Sequence, residues 1–300
     1  MLIDAHCHPF DLAEHFPEAE SERRRLGLIC AASASTPEEF AFCEKLSRQA
    51  KADTAPPILP CFAIHPQLPA GINSNLTTQR HEGTEGCAMS VKTPSSSVPL
   101  CLRERYFEEM LITLEGMASE GRLAAIGETG FDLFNAAYRE TEKIQDDLFA
   151  AHLETALRHD LPLVIHARRA MHKIFAYASI GCTALKKCRA VVFHSWSGTA
   201  GEGEALLRRG INAFFSFGTT IMLNHREAMR CCSLFPADRL LTETDAPFQP
   251  LRGKAFSAYA DIVPILETMA ALRREAGSEG STAAELEKIV ESNFREVFGL

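Results

Sequence analysis

Asp4, His6 and His8 stand two residues apart just behind a short apolar run, Met1-Leu2-Ile3. In an extended chain, side chains two apart point to the same face. A single strand therefore aims one carboxylate and two imidazoles in one direction, a donor set suited to a divalent cation. Further along, Glu128, His166, His194 and Asp245 each come after a short apolar run. With His6 and His8 they make four imidazoles and two carboxylates, more than one tetrahedral site takes. They suit two divalent ions a few ångströms apart, bridged by a carboxylate. Glu128, midway in strand order, is the natural bridge. One ion takes His6, His8 and Asp245, and the other takes His166 and His194. Open positions hold water whose pKa falls to roughly 7, giving a hydroxide nucleophile near neutral pH. Asp245 accepts the proton and passes it to the leaving group, so Glu128 and Asp245 carry turnover. Mixed nitrogen and oxygen ligands fit Zn, Mn, Co or Mg, and residue types do not choose among them.

These groups need a scaffold that brings residue 6 beside residue 245. Short apolar runs at 1–3, 27–34, 58–64, 123–127, 161–165, 190–193, 211–217 and 239–242 read as buried strands. Helical spacing and capping signals fall between them, over 11–25, 37–51, 102–119, 141–159, 170–178, 199–209 and 224–234. Two more helices close the chain at 259–275 and 282–298. Thr36 and Pro37 show the logic: Thr caps, Pro fits the first turn, and Glu38 and Glu39 face the positive helix end. Eight strands alternating with helices predict an α/β, TIM-type (β/α)8 barrel, a single domain over residues 1–300. An open doubly wound sheet would carry glycines in its first turn. Here that turn reads His6-Cys7-His8-Pro9. Residues 69–99, rich in Ser, Thr, Gly, Asn and Pro, read as a long loop insertion after strand three.

Composition sets limits. Hydrophobic residues at 46% and charged residues at 23% are ordinary for a globular chain. A net charge of -8 argues against a broad basic surface gripping nucleic acid by counterion release. Phosphate substrates remain open, because divalent ions bring their own positive charge to a cleft. Ten cysteines include no C-x-x-C pair. Cys30, Cys61 and Cys182 sit in apolar stretches as small buried thiols, and adjacent Cys231 and Cys232 are poorly placed for a disulfide. A reducing, intracellular compartment is expected: cytoplasmic, or nuclear in a eukaryote. Asp4, His6 and His8 interrupt any signal-peptide core, and no apolar run approaches the roughly 18 residues of a membrane span.

The motifs Leu2-Ile3-Asp4-Ala5-His6-Cys7-His8, Ile64-His65-Pro66, Ala125-Ile126-Gly127-Glu128-Thr129-Gly130-Phe131-Asp132, Pro162-Leu163-Val164-Ile165-His166-Ala167-Arg168, Phe193-His194-Ser195-Trp196-Ser197-Gly198, Glu243-Thr244-Asp245-Ala246-Pro247-Phe248 and Asn293-Phe294-Arg295-Glu296-Val297-Phe298-Gly299-Leu300 span the chain. In that order the chain resembles the TatD-like metal-dependent deoxyribonucleases of the amidohydrolase superfamily. The resemblance implies a TIM-type barrel and metal-dependent hydrolysis, often of DNA from a 3′ end. It puts metal ligands at His6, His8, Glu128, His166, His194 and Asp245, and substrate-phosphate contacts at His65 and Arg168. The chain departs from the family at Gln67, where a histidine is usual, and at Arg169, where an aspartate is usual. It departs again after Arg252-Gly253-Lys254. These positions lie in loops that would meet substrate.

Other residues carry weaker signals. Asp4 either orients a ligand histidine or caps a turn. Trp196 either stacks on a base or packs in the core. Glu243 reads as structural, Asp132 as shaping the loop after Glu128, and Arg169 as a solvated charge. His15, His81, His152, His159, His172 and His225 read as ordinary surface or core histidines. Ser195 and Ser197 lack a nucleophile-elbow pattern. The favoured function is a two-metal phosphodiester hydrolase, a 3′–5′ DNA exonuclease with DNA as partner. The same barrel and metals could instead open a small amide, ester or lactone. A third reading is a scaffold that uses metal only to fold.

Overall fold

A computed structural model describes residues 1–73, 100–179 and 183–300. Most of the expected insertion, with His81, and also Cys182 lie outside the described residues.

Eight strands follow one another in chain order: β1 Ile3–Cys7, β2 Ile29–Ala34, β3 Ile58–Phe62, β4 Ala125–Asp132, β5 Leu163–Arg168, β6 Val191–Phe193, β7 Ala213–Phe217 and β8 Leu240–Thr242. Each pairs in parallel with the next, from β1 to β8, in a nearly closed TIM-type (β/α)8 barrel. The helices are α1 Pro9–His15, α2 Ala19–Leu26, α3 Pro37–Ala52, α4 Leu68–Asn73, α5 Leu100–Ser119, α6 Ala136–Arg139, α7 Glu142–His159, α8 Met171–Tyr177, α9 Ala184–Lys187, α10 Ala200–Arg208, α11 Arg226–Leu234, α12 Ile262–Glu275 and α13 Ala283–Phe298. No helix among the described residues is long and apolar enough to cross a membrane.

The strands are near-continuous apolar runs because helices cover the sheet. Phe62, Phe131, Phe193, Phe214, Phe215 and Phe217 are fully buried. Each such side chain contributes about 2–3 kcal/mol of burial. Strand ends differ from the sequence expectation at the positions that matter most. β1 runs through Cys7 and β4 through Asp132, so His6 and Glu128 sit inside strands rather than after them. The single helix expected over 11–25 is two helices, because Pro17 falls between α1 and α2. The last crossover helix starts at Arg226 with His225 as its cap, and Asn224 turns left-handed ahead of it, at φ 62°.

Two glycines let β4 lie close against β5. A Cβ on Gly127 would stand 2.5 Å from the Val164 Cβ, and one on Gly130 would stand 2.1 Å from the His166 carbonyl oxygen. Gly130 also has φ +128°, which L side chains rarely adopt. Glu128 lies between these two close approaches.

The seam between β8 and β1 is closed by side chains and loop backbone. Thr242 Oγ1 donates to the Ile3 carbonyl at 2.6 Å. Asp4 accepts from the Thr244 N–H at 3.0 Å and the Thr244 hydroxyl at 2.6 Å. Beyond it the Asp245 N–H donates to the His6 carbonyl at 3.0 Å, and the His8 N–H to the Ala246 carbonyl at 2.8 Å. The first strand and the residues after the eighth are thus stitched together where the sequence analysis places its ligands.

Candidate metal centre

Glu128 stands at the middle of the cluster, 2% exposed, and its two carboxylate oxygens face different partners. Oε2 lies 3.1 Å from His6 Nε2 and 3.6 Å from His8 Nε2. Oε1 lies 2.6 Å from His194 Nε2, 2.7 Å from His166 Nδ1 and 3.0 Å from His65 Nε2. Asp245 closes the first group, with Oδ1 3.5 Å from His6 Nε2 and 3.4 Å from His8 Nε2. All six expected ligands are therefore brought together. His65 joins them, buried against Glu128, as a fifth imidazole.

Three triads in this cluster could each hold a cation: His6, His8 and Glu128; His6, His194 and Asp245; and His65, Glu128 and His166. In each triad the ligand atoms lie within 4.8 Å of one another. Nitrogen and carboxylate donors together match a borderline divalent cation. One further detail fits. Among the described residues His8 Nδ1 is buried without a hydrogen-bond partner, so its engaged nitrogen is Nε2, aimed into the cluster. The residues present suit the metal that the donor set implies.

Electrostatics point the same way. Burial alone would raise the pKa of Glu128, but His194, His65 and His6 hold it well below the carboxylate range. Burial is likewise overcome at Asp245, where the hydrogen bond to His8 keeps the pKa low. Burial would lower the pKa of His8, yet Asp245 pushes it up to about 9. His194 is raised well above its ordinary value against burial, chiefly by the Glu128 charge. Burial wins at His6 and His65, which are lowered. The pocket is thus a fixed concentration of negative charge that holds positive charge on His8, His166 and His194. A bound divalent cation would take that place and leave the same imidazoles neutral.

Outer contacts fix the ring orientations. His6 Nδ1 meets the Ser33 hydroxyl at 3.1 Å. His166 Nε2 meets Asp132 Oδ2 at 3.1 Å, and Gln67 Nε2 donates to that same oxygen at 2.7 Å. Gln67, the residue at the family's usual histidine position, thus steadies the carboxylate that orients His166. Glu243 is fully buried and accepts from the Ser195 N–H at 2.7 Å, the Ser195 hydroxyl at 2.5 Å and the Ser216 hydroxyl at 2.5 Å. It also lies 3.8 Å from His194 Nδ1, too long for a hydrogen bond. Gln249 donates to Asp245 Oδ2 and to the Ser195 hydroxyl, each at 2.7 Å. Ser195, Asp245 and Gln249 all have left-handed backbones, at φ 44°, 54° and 54°. Such conformations persist only where surrounding bonds over-determine them, and they gather at functional sites.

Sequence reasoning put Gln67 in a loop that would meet substrate and missed Gln249, because an amide carries no signal of its role until its carboxylate neighbour is known. Asp4 touches no ligand ring: it accepts from the His6 N–H at 3.3 Å as well as from the Thr244 N–H and hydroxyl. Trp196 resolves to core: it is 3% exposed and packs edge-on against Phe193, Phe215 and Phe235. Arg168, at the end of β5, lies over the ring of Phe134 with Cζ 3.6 Å from the centroid.

Comparison with known proteins follows the same lines. A family model for TatD-related DNases matches residues 3–299. The chain belongs to that family. It is 35% identical over 140 residues to the 3′–5′ ssDNA/RNA exonuclease TatD of Erwinia tasmaniensis, a match covering 47% of this chain and 52% of that one. It is 30% identical over 197 residues to the enzyme of the same name from Pantoea vagans, covering 64% and 72%. The chain thus spans about half the length of the first of these relatives. Among solved structures, YJJV, a TatD homologue from Escherichia coli, superposes with TM-score 0.74 at 22% identity, covering 100% of this chain and 98% of that one. An uncharacterised amidohydrolase from Saccharomyces cerevisiae gives 0.72 at 16% identity, covering 99% of each chain. At these identities the likeness concerns the fold.

Proposed function

We propose that the chain is a divalent-metal-dependent hydrolase of phosphodiester bonds that shortens single-stranded nucleic acid from the 3′ end. One observation carries the reading. The two oxygens of a single buried carboxylate, Glu128, face two separate imidazole groups. That is the arrangement two neighbouring cations require of a bridging ligand. His6, His8 and Asp245 would hold one cation, and His65, His166 and His194 would hold the other. When bound, such a pair supplies an acidified water and neutralises phosphate charge.

The chain's own residues do the rest. Asp245 is kept ionised at the edge of the cluster, and Gln249 fixes one of its oxygens. It is the group placed to accept a proton from water and return it to the leaving oxygen. Asp132 and Gln67 hold the His166 ring still. Arg168 and Arg169 give the mouth beside β5 a basic rim. A basic rim favours a polyanion over a small neutral amide or lactone, the runner-up substrate class. The names of the TatD relatives agree with this choice.

The test is direct. Purified protein is incubated with Mg, Mn or Zn and a 3′-labelled single strand, with and without chelator. Loss of label in short products, abolished by chelator and restored by added metal, is the expected result. Intact strands under all three metals, alongside turnover of a lactone or amide, would move the assignment to the runner-up.

A further inference from the structure

We propose that Arg169, together with Arg168 and the ring of Phe134, forms an anion subsite for a phosphodiester neighbouring the one that is cut. The proposal rests on the nuclease reading above and goes beyond it. β5 carries His166 into the candidate centre, and Arg168 follows two residues later, roughly 7 Å further along an extended strand. β4 pairs with β5 so that Asp132 lies opposite Arg168. Phe134 comes two residues after Asp132, and the Leu133 N–H donates to the Arg168 carbonyl at 2.9 Å. The rim therefore continues outward from the ring of His166.

Two guanidiniums share one aromatic ring there. Cζ lies 3.6 Å from the Phe134 centroid in Arg168 and 4.6 Å in Arg169. Consecutive residues of a strand point to opposite faces, so the pair needs a break in the alternation. Arg169 supplies it with a left-handed φ of 55°. The like charges repel, yet among the described residues neither guanidinium forms an ion pair. Stacking on an aromatic engages the flat face of a guanidinium and leaves its edge donors outward, the edge that grips phosphate in two bonds. Strain and positive charge with no acidic partner among the described residues fit a surface shaped for an incoming anion. Both ribose and deoxyribose backbones present that anion.

The experiment measures binding of hexanucleotides, DNA and RNA, and of a dinucleotide with a single link. All carry phosphorothioate links to slow cleavage, and binding is followed by fluorescence anisotropy over a range of salt. Arg169→Ala and Arg169→Asp should weaken hexanucleotide binding about 10-fold. They should also flatten the slope of log affinity against log salt by about 0.7, the value of one single-strand phosphate contact. DNA and RNA should respond alike, and Arg169→Lys should restore the slope. The dinucleotide should lose much less. Equal slopes for wild type and Arg169→Ala would overturn the proposal, as would equal losses for dinucleotide and hexanucleotide. If the wild type binds and shortens strands while the variant matches it, only this subsite falls. If the wild type neither binds nor shortens any strand, the nuclease reading falls and takes the subsite with it.

Discussion

The carboxylate of Asp4 spans the seam of the barrel to Thr244, accepting from its N–H at 3.0 Å and its hydroxyl at 2.6 Å. The same side chain accepts from the His6 N–H. One buried group therefore sets the spacing between the strand that carries His6 and the turn that carries Asp245. Removing it leaves the two Thr244 donors buried and unanswered. Asp4→Ala should cost about 2–4 kcal/mol, lowering the melting temperature by several degrees, and should reduce hydrolysis more than the lost stability explains. Thermal unfolding and rate measurement on the folded variant check this. A variant with wild-type melting temperature would mean the seam is held elsewhere.

Glu128→Ala tests the bridge. The substitution removes both oxygens that separate the two imidazole groups. Metal content per chain should fall, hydrolysis should drop by about 10³-fold or more, and circular dichroism should stay native. Retained turnover with a native spectrum would show that the centre lies elsewhere.

Gly130→Ala tests how closely β4 must approach β5. The added methyl would meet the His166 carbonyl oxygen at 2.1 Å, at a φ that L residues avoid. About 3 kcal/mol or more of destabilisation is expected, with activity lost as Glu128 moves off His166. A urea titration measures it. A stability within 0.5 kcal/mol of wild type, or roughly so, would mean the strands can separate freely.

His152 offers a pH test away from the centre. It is fully buried on α7, takes the Ile64 N–H on Nε2 at 3.3 Å and meets Thr129 Oγ1 through Nδ1 at 2.6 Å. Burial pushes its pKa down to about 3 from an ordinary 6.5. The unfolded chain therefore takes up a proton first. The contribution is complete above pH 6.5 and drains away as pH falls toward 3, with about 2 kcal/mol gone by about pH 5. His152→Gln should be less stable at neutral pH and should lose less on acidification. Parallel urea midpoints for the two proteins across that window would contradict this.

Much of the centre was legible before the fold, because ligand chemistry needs particular residue types and a parallel barrel gathers strand ends at one mouth. His6, His8, Glu128, His166, His194 and Asp245 all carry that signature. Three things were hidden. Strand lengths were misjudged at β1 and β4, since polar residues inside a strand end the apolar run that marks it. Gln67 and Gln249 act only through the carboxylates they touch, so their roles depend on distances across the chain. The left-handed turns at Asp245 and Arg169 come from contacts with other elements, and nothing in the adjacent residues announces them.

Because β1 is joined to the turn after β8, the contacts that finish the mouth link residues 240 positions apart. A growing polypeptide cannot make them until Thr244 and Asp245 have been synthesised. Until then its opening histidine pair lacks Asp245, and the first strand presents an unpaired edge. Completion of the reactive centre is thus a late event in the maturation of this molecule, set by the entropy of closing a very long loop rather than by local preference.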